Sequence, residues 1–312
     1  MRTCFLLVTA GLAVAAAQST ATTYTTDING NRLAGGQTVT ADGLVTDLRQ
    51  SINGREVPLA QVEQKTLSQS GNTTVTERII RHYGPGGAVV LTERVVTEET
   101  KTADGGSTAK STTYRSDISG NIAEDERKTV ETHKSGAATV TDTAIEKKSL
   151  SGGFELAEKR TATSEPVPDG SRKSETLMLR YTNGNLYEAQ RSATTETTKG
   201  NETITNTAIY EPTVNGQLTL TRQNVTKSIA KADGSSTEET EIFGRSSDGR
   251  AHQADAPPAL TEKRVTSREK GPGGAVVEKQ TVQLPSVNDP GRLDPAHTVS
   301  ETICRGECAQ KP

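Results

Sequence analysis

GQLTLTRQNVTKSIAKADGSSTEETEIFGRSSDG, residues 216–249, decides how this chain folds. The stretch opens on a glycine, runs as a Thr-rich extended segment, turns at Asp233-Gly234, runs back and reaches the next glycine. The same unit begins at Gly54, Gly87, Gly120, Gly152, Gly184, Gly216 and Gly249, at gaps of 32 or 33 residues. A second glycine splits each unit: Gly71, Gly105, Gly136, Gly170, Gly200 and Gly234. Asp, Asn or Ser often stands just before these glycines, as at Asp104, Ser119, Asp169, Asn183, Asn215 and Asp233. Such dipeptides favour tight hairpin turns, whose central residues need positive φ. Segments of about 12–14 residues lie between the turns, rich in the Thr, Val, Ile and Tyr that suit a pleated surface. Short turns join antiparallel strands and cannot join parallel ones. The expected fold is all-β: a long up-and-down antiparallel meander of β-hairpin repeats, 32–33 residues per two strands, forming a single-layer or rolled extended sheet.

Two kinds of position recur inside the unit. Six residues after the opening glycine stands a long polar side chain (Glu93, Glu126, Glu158, Gln190, Arg222), often followed by another (Arg94, Arg127, Lys159, Arg191, Gln223). Six residues before the closing glycine stands a bulky apolar one: Tyr24, Tyr114, Met178, Tyr210, Phe243. Equal offsets from equal turns predict that these bulky groups share one face, as a thin stripe across a sheet otherwise covered by Thr, Glu, Lys and Arg. Within 218–229 the apolar residues change phase, Leu218 and Leu220 being even and Val225 and Ile229 odd. That shift predicts a bulge or a strong local twist.

Outward from the array, residues 1–17 have the pattern of a signal peptide: Arg2, an apolar run through Val14, and Ala15-Ala16-Ala17 at the expected cleavage point. Residues 18–53 are expected to be an N-terminal capping segment, 54–280 the hairpin array, and 281–312 an irregular C-terminal tail marked by Pro285, Pro290 and Pro295. The heptapeptide GPGGAVV at 84–90 returns unchanged at 271–277 and extends the array to about residue 280. An insertion with Pro257-Pro258 interrupts the seventh unit and predicts an edge or a loop. In the tail, Cys304 and Cys308 are spaced C-x3-C, and a small disulfide loop is expected there in an oxidising compartment.

Composition narrows the function classes. Hydrophobic residues make up 31% and aromatics 3%, with no Trp, so a thick two-layer core is hard to fill. The 36 basic and 39 acidic residues are interspersed, which excludes a basic nucleic-acid stripe. His82, His133, His252 and His297 show no metal-ligand spacing. There is no nucleophile elbow and no P-loop, and the glycines are turn punctuation. Catalytic residues, metal ligands and cofactors are therefore all expected to be none. The N-x-[ST] matches at Asn72, Asn201 and Asn224 carry meaning only in a eukaryotic secretory pathway.

The stretch Tyr24-Thr25-Thr26-Asp27-Ile28-Asn29-Gly30-Asn31 resembles the tyrosine–aspartate (YD) repeats of large bacterial secreted and surface proteins. Tyr114-Arg115-Ser116-Asp117-Ile118-Ser119-Gly120-Asn121 is similar, and Phe243 with Asp248-Gly249-Arg250 loosely so. The second Tyr of that motif is replaced by Thr26 and Ser116. The resemblance implies a β-hairpin surface scaffold with carbohydrate or cell contact. The expectation is an exported, non-enzymatic structural or interaction protein of the cell envelope or extracellular space, secreted or periplasmic. The alternative is a carbohydrate- or lipid-binding exported module. Partners are unspecified beyond a surface or matrix component or self-association through sheet edges. An outer-membrane barrel is disfavoured, because strands such as 194–199 (TTETTK) lack an apolar lipid face.

Overall fold

The computed structural model describes residues 20–27, 32–40, 43–52, 55–117, 119–182, 184–244, 258–286, 289 and 292–305. These contain eighteen strands. The first nine are β1 (Thr20–Asp27), β2 (Arg32–Thr40), β3 (Gly43–Ile52), β4 (Arg55–Ser70), β5 (Thr73–Tyr83), β6 (Val89–Lys101), β7 (Ser107–Ser116), β8 (Ile122–Ser135) and β9 (Ala138–Lys148). They are followed by β10 (Phe154–Pro166), β11 (Arg172–Thr182), β12 (Asn185–Lys199), β13 (Glu202–Pro212), β14 (Leu218–Ala230), β15 (Ser236–Gly244), β16 (Ala259–Lys270), β17 (Val276–Gln283) and β18 (His297–Arg305). Each strand pairs antiparallel with its neighbours in sequence, and β1 pairs antiparallel with β18 through Thr22–Arg305 to Asp27–Ser300. The meander is thus closed into a barrel.

Followed from strand to strand, the register returns to β1 displaced by about 20 residues, which corresponds to strands tilted by about 40°. Eighteen strands at ~4.8 Å spacing with that tilt make a ring roughly 35 Å across its backbone. Side chains from the wall cannot meet across such a width. Both faces stay open: among the described residues only Ala60, Glu77, Gly106, Ser171, Ser235 and Ala275 are buried, and no side chain is fully enclosed.

The turns explain the period. One rim, called proximal, holds the start of β1 and the end of β18; the distal rim is its opposite. Every array glycine from Gly71 to Gly234 named above that lies in a described turn has φ between +55° and +89°. Around the proximal rim two turn types alternate. Two-residue turns at Gly71-Asn72, Gly136-Ala137 and Gly200-Asn201 are interleaved with five-residue turns at 102–106, 167–171 and 231–235. In each longer turn the first residue donates to the carbonyl of the fifth and accepts from the glycine at the fourth, as Val167 does with Ser171 (2.7 Å) and Gly170 (3.0 Å). The structural period is therefore four strands, twice the unit legible in the sequence. Gly170 has φ +83° and nothing within 4 Å of a built Cβ, so Gly170→Ala carries only the backbone penalty. We expect a loss of about 1 kcal/mol, measured by urea unfolding, with an unchanged circular dichroism spectrum.

The predicted phase shift within 218–229 is a bulge at Thr221, between the pairs Ile209–Arg222 and Tyr210–Leu220. It is one of a set. Leu59, Val90, Asp125, Ala157, Ala189, Thr221, Thr261 and Val299 are the extra residues in the distal half of the even strands from β4 to β18, and Leu67 is a ninth, in the proximal half of β4. Two of them satisfy the carbonyl that the bulge leaves unpaired: Thr221 Oγ1 donates to Ile209 O (3.2 Å) and Thr261 Oγ1 to Ile242 O (3.0 Å). Bulges bend strands and raise their twist. Eight of them at one side of the barrel give the sheet the coil that brings β18 to β1. This corrects the expectation of an open or merely rolled sheet, and with closure no sheet edge is left free for self-association.

The flanking segments contribute strands as well. The expected capping segment 18–53 supplies β1 to β3, full members of the ring. The expected irregular tail is corrected over His297–Arg305, which forms β18 and closes the barrel. Pro285 and Pro295 lie upstream, in the connection from β17, where Pro285 makes an isolated bridge to Leu293.

Candidate functional site

Register divides the wall into two faces, since directly opposed residues point the same way. One face, the threonine face, carries hydroxyl rungs: Thr25–Thr302 (2.9 Å), Thr97–Ser111 (2.9 Å), Thr132–Thr141 (3.2 Å), Thr194–Thr207 (3.0 Å) and Thr226–Thr240 (3.0 Å). It also carries the row Glu93, Glu126, Glu158, Gln190 and Arg222 and the chain Glu93–Arg115–Asp125 (3.0 and 2.8 Å).

The other face carries the described rings except Tyr187 and is called the tyrosine face. Tyr24, Tyr114, Tyr210 and Phe243 stand there as expected, but Met178 points to the opposite face. The reason is turn length. The hairpin after β11 is shorter than the five-residue turns after β7 and β13, so the same offset from its glycine has the opposite parity. Leu179 and Tyr181 take the tyrosine face instead. The second polar row lies beside these rings: Arg94 is opposed to Tyr114, Lys159 to Leu179, Arg191 to Tyr210 and Gln223 to Phe243. Guanidinium groups sit over rings at Arg32–Tyr24 (4.2 Å), Arg94–Tyr114 (5.4 Å) and Arg127–Phe154 (4.1 Å). A depression of about 330 Å³ lies on this face across the closing seam, lined by Tyr24, Thr26, Arg32, Glu301, Ile303 and Arg305.

Glu77 is the one buried charged side chain among the described residues, 6% exposed, on β5. It accepts from Lys65 Nζ (2.9 Å) and Arg94 Nε (2.6 Å), tying β4, β5 and β6 together. The hydrogen bond from Lys65 and then that from Arg94 hold its carboxyl below the usual range. Neighbouring side chains cover it, but a one-layer wall has few atoms further out, so desolvation is the weaker influence. A similar group on β13 to β16 joins Lys227 to Glu202 (2.9 Å), and Lys263 to Glu239 (2.7 Å) and Glu241 (3.8 Å).

The proximal five-residue turns carry Asp104, Asp169 and Asp233 at one equivalent position. Side-chain donors lower their pKa first, namely Thr102, Ser171 and Ser235, with backbone N–H groups of the turn adding to the effect. For Asp169 the bonds are Ser171 Oγ at 2.6 Å and Ser171 N at 2.9 Å. A carboxylate whose folded pKa is depressed adds stability above its unfolded pKa of about 3.9, and that stability is lost as pH falls. We expect the melting temperature to be level from neutral pH to about pH 5 and to drop below about pH 4. Replacing all three by Asn should flatten the acid limb; an unchanged limb would show that these turns do not carry it.

The structure places the residues singled out in the sequence as follows. His82, His133 and His297 lie on β5, β8 and β18, and His252 is outside the described residues. Among the described residues no group of three or more His, Cys, Asp or Glu side chains is placed to hold a metal ion. Cys304 lies in β18, opposite Thr23 and Val276; Cys308 and the 1–17 segment are outside the described residues. Asp117, in the tyrosine–aspartate-like stretch, accepts from Ser119 N (2.8 Å) and Asn121 N (2.9 Å) and so closes the β7–β8 hairpin. Of the sequons, Asn72 and Asn201 are exposed in proximal turns, whereas Asn224 lies within β14 with its Oδ1 buried. The arginine–ring pairing and the ring of bulges were not foreseen; the only sequence signal for either was the Arg or Lys following the +6 position and the phase change inside each unit. No protein-family model matches the chain, and no curated protein resembles it.

Proposed function

We propose that the chain is an exported, non-enzymatic barrel scaffold of the cell envelope or extracellular space, standing in water on both sides of its wall. The observation that carries this reading is that charge reaches mid-height on both faces. Lys65, Glu77 and Arg94 lie on the tyrosine face, and Arg78, Lys128, Arg160 and Arg222 on the threonine face. Whichever face met acyl chains would bury several Lys or Arg at ~2–4 kcal/mol each near the midplane. No helix among the described residues is long and apolar enough to span a membrane. The Thr rungs and ion pairs supply cohesion in place of a core, a few tenths of a kcal/mol per pair. The test is to purify the chain without detergent and measure small-angle scattering. A monodisperse hollow shell supports the reading; a requirement for detergent refutes it.

A second reading, a carbohydrate-binding module, is favoured by one observation: Tyr114, Tyr210 and Phe243 recur on one face at similar distance from the distal rim. Rings so placed offer stacking surfaces. Glycan-array binding lost on Tyr210→Ala would favour it over the plain scaffold.

A further inference from the structure

The two rims differ in polarity. Of the eleven large apolar side chains that stand exposed among the described residues, nine belong to the distal rim; Leu67 and Ile204 alone lie toward the proximal one. Leu150 and Val214 are completely exposed, at 111% and 104%, at the tips of the β9–β10 and β13–β14 turns. Those turns, 149–153 (SLSGG) and 213–217 (TVNGQ), contain no ionisable residue, and neither does the distal turn 84–88 (GPGGA). The β7–β8 turn contains Asp117, whose carboxylate is taken up by the turn's own N–H groups. Charge does not separate the rims: three proximal turns carry Asp104, Asp169 and Asp233, each bonded within its own turn, and the proximal turn 271–275 carries none, while the distal β17–β18 connection carries Asp289, Arg292 and Asp294; what separates them is the exposed apolar side chains. Exposed apolar side chains gathered at one end of an otherwise polar molecule mark a contact surface.

We infer that the distal rim docks on a lipid bilayer surface, the barrel standing on it with Leu150 and Val214 inserted into the interfacial layer. This extends the scaffold reading, in which the wall itself stays in water. The occupant follows from the form of the rim. Leu150 and Val214 project singly from turns four strands apart, roughly 20 Å along the ring, with Tyr187 and Leu284 nearer the strands. A protein partner would need a separate pocket for each tip. A fluid acyl layer takes each one independently, with Tyr side chains at headgroup level. Around Leu150 stands no basic cluster: the charged residues beside it are Lys148, Asp125 and Glu155. Apolar insertion rather than charge therefore drives binding, and anionic lipid is not required.

The chain has no Trp, so a single introduced indole reports its own position. Val214→Trp on the distal rim and Ala232→Trp at the equivalent place in a proximal turn are compared in the full chain with phosphatidylcholine vesicles. We expect a blue shift and quenching by brominated lipid for V214W only. Leu150→Asp should weaken vesicle co-sedimentation at least tenfold, while Ala103→Asp on the proximal rim leaves it unchanged. Equal shifts at both positions, or none, overturn the inference. So does a V214W shift that arises without vesicles and grows with protein concentration, since the rim then meets a second copy. Circular dichroism matched to the parent chain excludes misfolding of the variants. A chain that is a soluble hollow shell yet ignores vesicles defeats this inference alone; one that needs detergent defeats the scaffold reading.

Discussion

Thr302→Pro should open the barrel. Thr302 sits in the middle of β18, opposed on one side to Thr25 of β1 and on the other to Glu278 of β17, and its hydroxyl bonds that of Thr25 at 2.9 Å. Proline removes the ladder N–H and cannot be accommodated inside a paired strand. Because β18 closes the ring, the damage is topological: β1 and β17 become free edges, ready to pair with other copies. The expected result is concentration-dependent oligomers by native mass spectrometry and rapid amide exchange in β1. Thr302→Ala, which keeps the backbone and loses only the hydroxyl bond, should cost about 1 kcal/mol and leave a monomer. A monomeric T302P chain with protected β1 amides would show that closure does not depend on β18.

The second large effect is expected at Glu77. Glu77→Ala removes the acceptor shared by Lys65 and Arg94 and leaves two cations side by side. Lys65 and Arg94 are more than a third exposed (35% and 41%), so water replaces part of what is lost. A loss of about 1–2 kcal/mol is expected, with Glu77→Gln losing less because the amide oxygen still accepts. Urea midpoints measure both. Combining Glu77→Leu with Lys65→Met should recover part of the loss, since an apolar pair of similar size ends the Lys65–Arg94 repulsion and leaves only Arg94, 41% exposed, to be solvated by water. If E77A changed stability by less than about 0.5 kcal/mol, the group would be an ordinary surface ion pair.

Local chemistry was legible residue by residue. GPGGA closes a five-residue turn at 84–88 on the distal rim and at 271–275 on the proximal rim, with the first residue donating to the fifth carbonyl at 2.8 Å in both. The five residues specify that a turn forms, but not its interior: Gly87 N bonds Gly84 O in the first (2.9 Å), whereas Ala275 N bonds Pro272 O in the second and Gly273 joins Gly274 at positive φ. Met178 shows the limit of counting from glycines. Turn length sets parity, and GN, ADG and VNG read alike until hydrogen bonds separate them. The arginine–ring pair Arg127–Phe154 joins strands two apart, so no spacing within one hairpin announces it.

The strands, their antiparallel order, the glycine turns and the bulge at Thr221 were determined by the sequence alone, because each depends on neighbours within one hairpin. Closure was not. Thr25 and Thr302 lie 277 residues apart, and whether they meet depends on twist, bulges and stagger summed over eighteen strands. A small change in any of these, repeated at every strand, would leave the same hairpins in an open ribbon.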